Sequence, residues 1–128
     1  MSTLDRPEDR RLTSVAGQIE RRKSLRLEVL GRINGVLVVL ELPVTLVDIS
    51  RGGFMMRAAR PLAVDSTHQV RFIWNRHPPI VLAGRVVRVL RTSGGAAERW
   101  MMGLEFVDAS QPAVTRDINA LLQVVQPT

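Results

Sequence analysis

With 128 residues, 45% apolar and 23% charged, the chain has the size and composition of one globular domain, not those of a disordered segment. Eighteen cations against 12 carboxylates give a net charge of +6, which favours an anionic partner, and the absence of cysteine excludes disulfides, thiolate metal sites and thiol nucleophiles. No apolar run approaches the roughly 20 residues needed to span a bilayer, and the polar N-terminus lacks a signal-peptide core, so a cytoplasmic protein without a membrane span is expected.

Residues 1–20 are polar, carry both signs of charge and show weak periodicity, and are expected to form a flexible N-terminal tail ahead of one folded domain over 21–126. The first apolar run, Leu27 to Leu40, reads as a strand, with a bulge or turn at Asn34-Gly35 as the open alternative. Glu41-Leu42-Pro43 reads as a break, because proline cannot donate to a central ladder. Val44–Ile49 is the second strand, and Ser50-Arg51-Gly52-Gly53 turns the chain into a third, Phe54–Ala58. The fourth runs from about Gln69 to Trp74, the fifth from Ile80 to Leu90 and the sixth from Trp100 to Val107.

One helix is expected to close the chain. Val114, Ile118, Leu121, Leu122 and Val125 form a stripe of helical period, with Ser110 as N-cap, Pro112 in the first turn and Pro127 as the stop. Six short strands with no helix between them predict a mainly β fold, an antiparallel sheet closed into a small six-stranded barrel with the C-terminal helix over one open end.

The sequence contains no phosphate loop, dinucleotide-binding glycine fingerprint, zinc-protease motif or nucleophile elbow. His68 and His77 are the only histidines, and both fall near predicted turns, so catalysis is not expected. Trp74, Trp100 and the pairs Met55-Met56 and Met101-Met102 are read as core or sheet-end packing, with the lining of a ligand pocket as the alternative, since a strand buries alternate side chains.

Two stretches carry the functional reading. Arg21-Arg22-Lys23-Ser24-Leu25-Arg26 places four cations in six residues and contains an Arg-x-x-x-Arg pair, Arg22 and Arg26. In so arginine-rich a chain about two such pairs arise by chance, and Arg6 with Arg10 is another. Asp48-Ile49-Ser50-Arg51-Gly52-Gly53 begins 22 positions after Arg26. Asp48 and Ser50 should leave one face of their strand while Ile49 enters the core, and Gly52-Gly53 allows positive φ and close approach of a ligand to the backbone. The same residues also suit an ordinary turn.

In this order, an arginine arm entering a β-domain and then Asp-x-Ser-x-x-Gly about one hairpin later, the chain resembles the PilZ domain family. Arg22, Arg26, Asp48, Ser50 and Gly53 carry the likeness, and Gly103-Leu104-Glu105-Phe106 resembles the family's closing strand. The resemblance implies a PilZ-type barrel that binds cyclic di-GMP without a further cofactor and acts as an adaptor on an unidentified downstream protein. It implies that Arg22 and Arg26 fork guanine or phosphate, that Asp48 accepts from the guanine donor edge, and that Ser50 adds a polar contact. Arg21 either caps the guanine of a second stacked ligand or is a solvated charge, and Arg91 and Arg99 are read as surface. Two other readings remain: a family member that binds protein and no nucleotide, and a nucleic-acid-binding barrel. The second is disfavoured, because aromatics are only 4% and tyrosine is absent, so stacking platforms are scarce and no nucleic-acid polymer is expected as partner.

Overall fold

A computed structural model of the chain describes residues 25–93 and 97–126. The predicted tail and the arginines at 21 and 22 lie outside them. The described elements are seven strands, β1 (Leu27–Glu28), β2 (Asn34–Leu37), β3 (Leu42–Ile49), β4 (Gly53–Ala58), β5 (Thr67–Ile73), β6 (Ile80–Arg91) and β7 (Trp100–Phe106), and one helix, α1 (Pro112–Val125).

Every strand pair is antiparallel, and the ladder β3-β2-β5-β6-β7-β4 closes when β4 pairs back onto β3. This is the expected six-stranded barrel. The predicted first strand is split, and both pieces lie along the same edge of β3: β2 pairs with Leu42–Val44, and β1 with Asp48 and Ile49. The interruption falls at Leu30-Gly31, both at positive φ (51° and 78°), and not at Asn34-Gly35. Gly31 supplies the left-handed residue without a Cβ penalty. Gly35 lies inside β2, where an added Cβ would stand 2.9 Å from Val44 Cγ2. Pro43 likewise belongs to β3 and does not end it. At that end β3 is paired on one edge alone, with β4 joining from Thr45 onward, so the missing N–H leaves no ladder bond unmade.

Alternate residues fill the barrel. Phe54, Phe72 and Phe106 meet at its centre, with Phe54–Phe72 edge-to-face at 5.4 Å between centroids. Met56 and Met102 are fully buried, whereas their neighbours Met55 and Met101 face outward and are half-buried, so each methionine pair divides between the two sides of its strand. Trp74 is buried under a stacked His77, and Arg91 lies 5.6 Å over the ring of Trp100.

The stripe on α1 is as expected: Ile118, Leu121 and Val125 are buried, Val114 and Leu122 partly so. The helix packs beside β1, next to the point where the arginine arm enters the barrel. Its start differs from the expectation. Gln111, not Ser110, precedes the first helical residue, and no side chain caps it; Pro112 occupies the first turn. The Thr115 hydroxyl donates back to the Ala109 carbonyl at 2.7 Å, which ties the first turn to the preceding loop.

Candidate functional site

Position 48 faces outward because β3 is bulged. Leu46 stands opposite Met56 and Asp48 opposite Met55, leaving Val47 as the extra residue. Strict alternation from Val44 and Leu46, both buried, would send Asp48 into the core. The bulge shifts the phase by one, so Ile49 is buried while Asp48 and Ser50 are half-exposed, as the sequence led us to expect. The Val47 carbonyl accepts the Val29 N–H at 3.0 Å, which locks β1 against the bulge.

That lock delivers the arm. Leu27 pairs with Ile49 and Glu28 with Asp48, which leaves Arg26, one residue earlier, beside the carboxylate. Arg26 Nη1 lies 3.8 Å from Asp48 Oδ2, with the two side chains 40% and 21% exposed. A long, half-solvated pair of this kind contributes about 1 kcal/mol at most. Among the described residues neither group makes another ion pair or side-chain hydrogen bond, against the five N–H donors of a guanidinium and the roughly four lone-pair sites of a carboxylate.

The other two motif residues serve the turn. Ser50 N donates to the Gly53 carbonyl at 2.8 Å, the Ser50 hydroxyl donates to the same oxygen at 3.3 Å, and it accepts the Gly52 N–H at 3.3 Å. Its proton is thus engaged within the turn. Contrary to the sequence reading, neither Gly52 nor Gly53 takes positive φ; among the described residues only Gly31 does so among glycines. Gly53 is required by a close approach to β7, because a Cβ there would collide with the Leu104 carbonyl oxygen. Gly52 has open space around it, and its carbonyl accepts the Phe106 N–H at 2.9 Å.

Beyond the motifs, Thr45 donates its hydroxyl to Glu98 Oε1 at 2.6 Å, drawing the loop before β7 across the outer face of β3 and β4. Nothing in the spacing of residues 45 and 98 announces this contact. Thr92 binds the Arg99 carbonyl through both its N–H and its hydroxyl, at 2.7 and 3.0 Å, and so narrows the base of that loop. Among the described residues no group of three or more His, Asp or Glu side chains could hold a metal ion, and no helix is long and apolar enough to cross a membrane.

A closed six-stranded antiparallel barrel, with an arginine arm paired to a bulge-presented aspartate, defines the kind of domain. The family model of the PilZ domain matches residues 20–123, and the chain belongs to that family. No curated protein matches it. Among solved structures, it is similar to the PilZ domain of YcgR from Escherichia coli, determined with cyclic di-GMP (TM-score 0.63, 15% identity, covering 82% of this chain and 91% of that one). It is also similar to the inhibitor of motility MotI/DgrA of Bacillus subtilis (TM-score 0.61, 20% identity, 82% of this chain), about half of whose length, 49%, it spans. An uncharacterised Legionella protein shares the fold at TM-score 0.54 and 17% identity, over 77% of this chain and 90% of that one. At these identities the likeness is one of fold.

Proposed function

We propose that the chain is a cyclic di-GMP receptor that works as a binding adaptor and not as an enzyme. One observation supports this above the rest: the arm and the turn, 22 residues apart in sequence, meet at the 3.8 Å pair of Arg26 and Asp48. In this reading Asp48 accepts from the N1–H and N2 donors of a guanine, while Arg26 and Arg22 fork a phosphate or the O6/N7 edge of the ligand's other guanine. Arg21 caps the guanine of a second stacked ligand. Ser50 offers its free lone pair, and Gly53 holds the turn against β7 so that the carboxylate keeps its place.

Binding would engage Arg21 and Arg22 with the ligand at the barrel face that carries Asp48. The change of surface where arm, β1 and helix meet is the signal that a downstream protein reads. The test is calorimetric titration with cyclic di-GMP of the wild type, Arg22→Ala and Arg21→Ala. Saturable binding that Arg22→Ala abolishes and a stoichiometry near two that Arg21→Ala reduces to one are expected. A folded wild type that binds no nucleotide would leave the protein-binding role of the family in its place.

A further inference from the structure

A second bulge, in β6, mirrors the one that presents Asp48. Val86 stands opposite Leu104 and Arg88 opposite Gly103, with Val87 as the extra residue. Ile80, Leu82, Gly84 and Val86 are buried in strict alternation, so an unbulged strand would point Arg88 inward one step later. The bulge turns it out and returns Val89 to the inner side, opposite the buried Met102.

The two bulges lie on one line. Asp48 pairs with Met55, Met55 with Gly103 and Gly103 with Arg88, so the four residues form a single outward row across β3, β4, β7 and β6. Three strand spacings separate its ends, about 14 Å measured along the curved sheet. A carboxylate stands at one end and a guanidinium at the other. The middle is low: Met55 is half-buried, and Gly103 has no side chain, with Val87 and Arg88 no nearer than 3.9 Å to where its Cβ would be. Among the described residues Arg88 makes no ion pair or side-chain hydrogen bond, whereas Arg85, three positions earlier, is held by Asp65 at 2.8 Å and Glu105 at 2.7 Å.

We propose that this row is a seat for one guanine. Asp48 holds its donor edge, Arg88 forks its O6/N7 acceptor edge, and the ring lies flat on the Met55 thioether and the Gly103 backbone. The proposal rests on the receptor reading above and adds the residue that selects the base. Guanine alone among the bases offers a carboxylate two adjacent donors on one edge and a guanidinium two acceptors on the other. Adenine puts its amino donor where Arg88 needs an acceptor. Sulfur–ring contact suits Met55, and only a residue without a side chain lets a ring rest on the strand at 103.

The experiment is calorimetric titration of the full chain with cyclic di-GMP and, separately, cyclic di-AMP, using wild type, Arg88→Ala, Arg88→Lys, Arg85→Ala and Gly103→Val. Arg88→Ala should weaken cyclic di-GMP binding by about 10- to 100-fold and erode its preference over cyclic di-AMP. Arg88→Lys should resemble Arg88→Ala, because an ammonium cannot fork the guanine edge. Gly103→Val, outward on a strand where no atom comes nearer than 3.9 Å to an added Cβ, should keep the wild-type unfolding midpoint and lose binding. Arg85→Ala removes the same charge from a saturated position and should bind as the wild type does. Equal losses in Arg85→Ala and Arg88→Ala would reduce the effect to net charge and overturn the proposal, as would full affinity in Arg88→Lys. A wild type that binds and is lost in Arg22→Ala, beside an Arg88→Ala that binds normally, would sink the guanine seat alone. A wild type that binds nothing would remove both.

Discussion

The two walls of the barrel treat their outward charges differently. On the β2–β5 wall alternation runs unbroken, and the charge it carries is neutralised locally: Arg71 grips Glu41 through both nitrogens, at 3.3 and 3.2 Å. On the wall from β3 through β4 and β7 to β6, two bulges break the alternation, and each is followed at once by an ionised side chain facing solvent. Asp48 has one long contact there and Arg88 none among the described residues. Regular pairing builds the container, and the departures from it turn outward the charged groups that are least paired among the described residues.

The sharpest way to break this comparison is at the glycine that joins the motif to the fold. Gly53→Ala places a Cβ against the Leu104 carbonyl, where backbone and not a flexible side chain must give way. We expect a loss of about 3 kcal/mol of stability, read as a lower urea midpoint with an unchanged m-value. Any affinity loss should then track the folded fraction. A Gly53→Ala protein of wild-type stability that fails to bind would move this glycine from the scaffold to the ligand contact.

Asp48→Ala should show the opposite pattern. Among the described residues its carboxylate makes one half-exposed ion pair, so stability should change by less than about 1 kcal/mol. Binding of cyclic di-GMP should fall about 100-fold, as expected when a two-donor base edge loses its acceptor. Calorimetry beside chemical denaturation separates the two quantities. A large stability loss with intact binding would invert the roles assigned to Gly53 and Asp48.

Much of this was readable from residue order. Strand starts at Ile80 and Trp100, the split of inward and outward methionines, and the α1 stripe all follow from periodicity, because burial depends on which face a side chain leaves. The bulges are not legible in this way: Leu46-Val47 and Val86-Val87 are successive apolar residues, but so are Met55-Met56 and Met101-Met102, whose strands pair without a shift. What the row Asp48, Met55, Gly103, Arg88 required was cross-strand register, which closure of the barrel determines and no local pattern carries. The same limit explains the misplaced break. Asn34-Gly35 has the composition of a hairpin turn, yet its glycine answers to Val44 across the ladder, a neighbour that the linear sequence does not reveal.

Ser50→Ala sits between the extremes. It removes a hydroxyl that both donates to and accepts from the turn, at 3.3 Å in each case, while the backbone bond from Ser50 N to the Gly53 carbonyl stays. A cost of about 1 kcal/mol is expected, with affinity reduced several-fold, since the turn loses definition and the ligand loses one polar contact. Loss of affinity equal to that of Asp48→Ala, at unchanged stability, would show that the hydroxyl works on the ligand more than on the turn.

Gly52→Ala should do least, and its smallness is informative. Gly52 neighbours Gly53 in the same turn, but a Cβ there meets nothing within 4 Å and its φ is not positive. Where an alanine fits the native backbone, it restricts the unfolded chain and stabilises by about 0.5 kcal/mol. The Phe106 N–H bond to the Gly52 carbonyl does not depend on the side chain and should survive. Two adjacent glycines are thus expected to answer the same substitution with opposite signs, because one faces a carbonyl and the other faces open space. If Gly52→Ala instead keeps its stability and weakens cyclic di-GMP binding, the open space above this glycine belongs to the ligand, and the site extends from the Asp48 row over the turn itself.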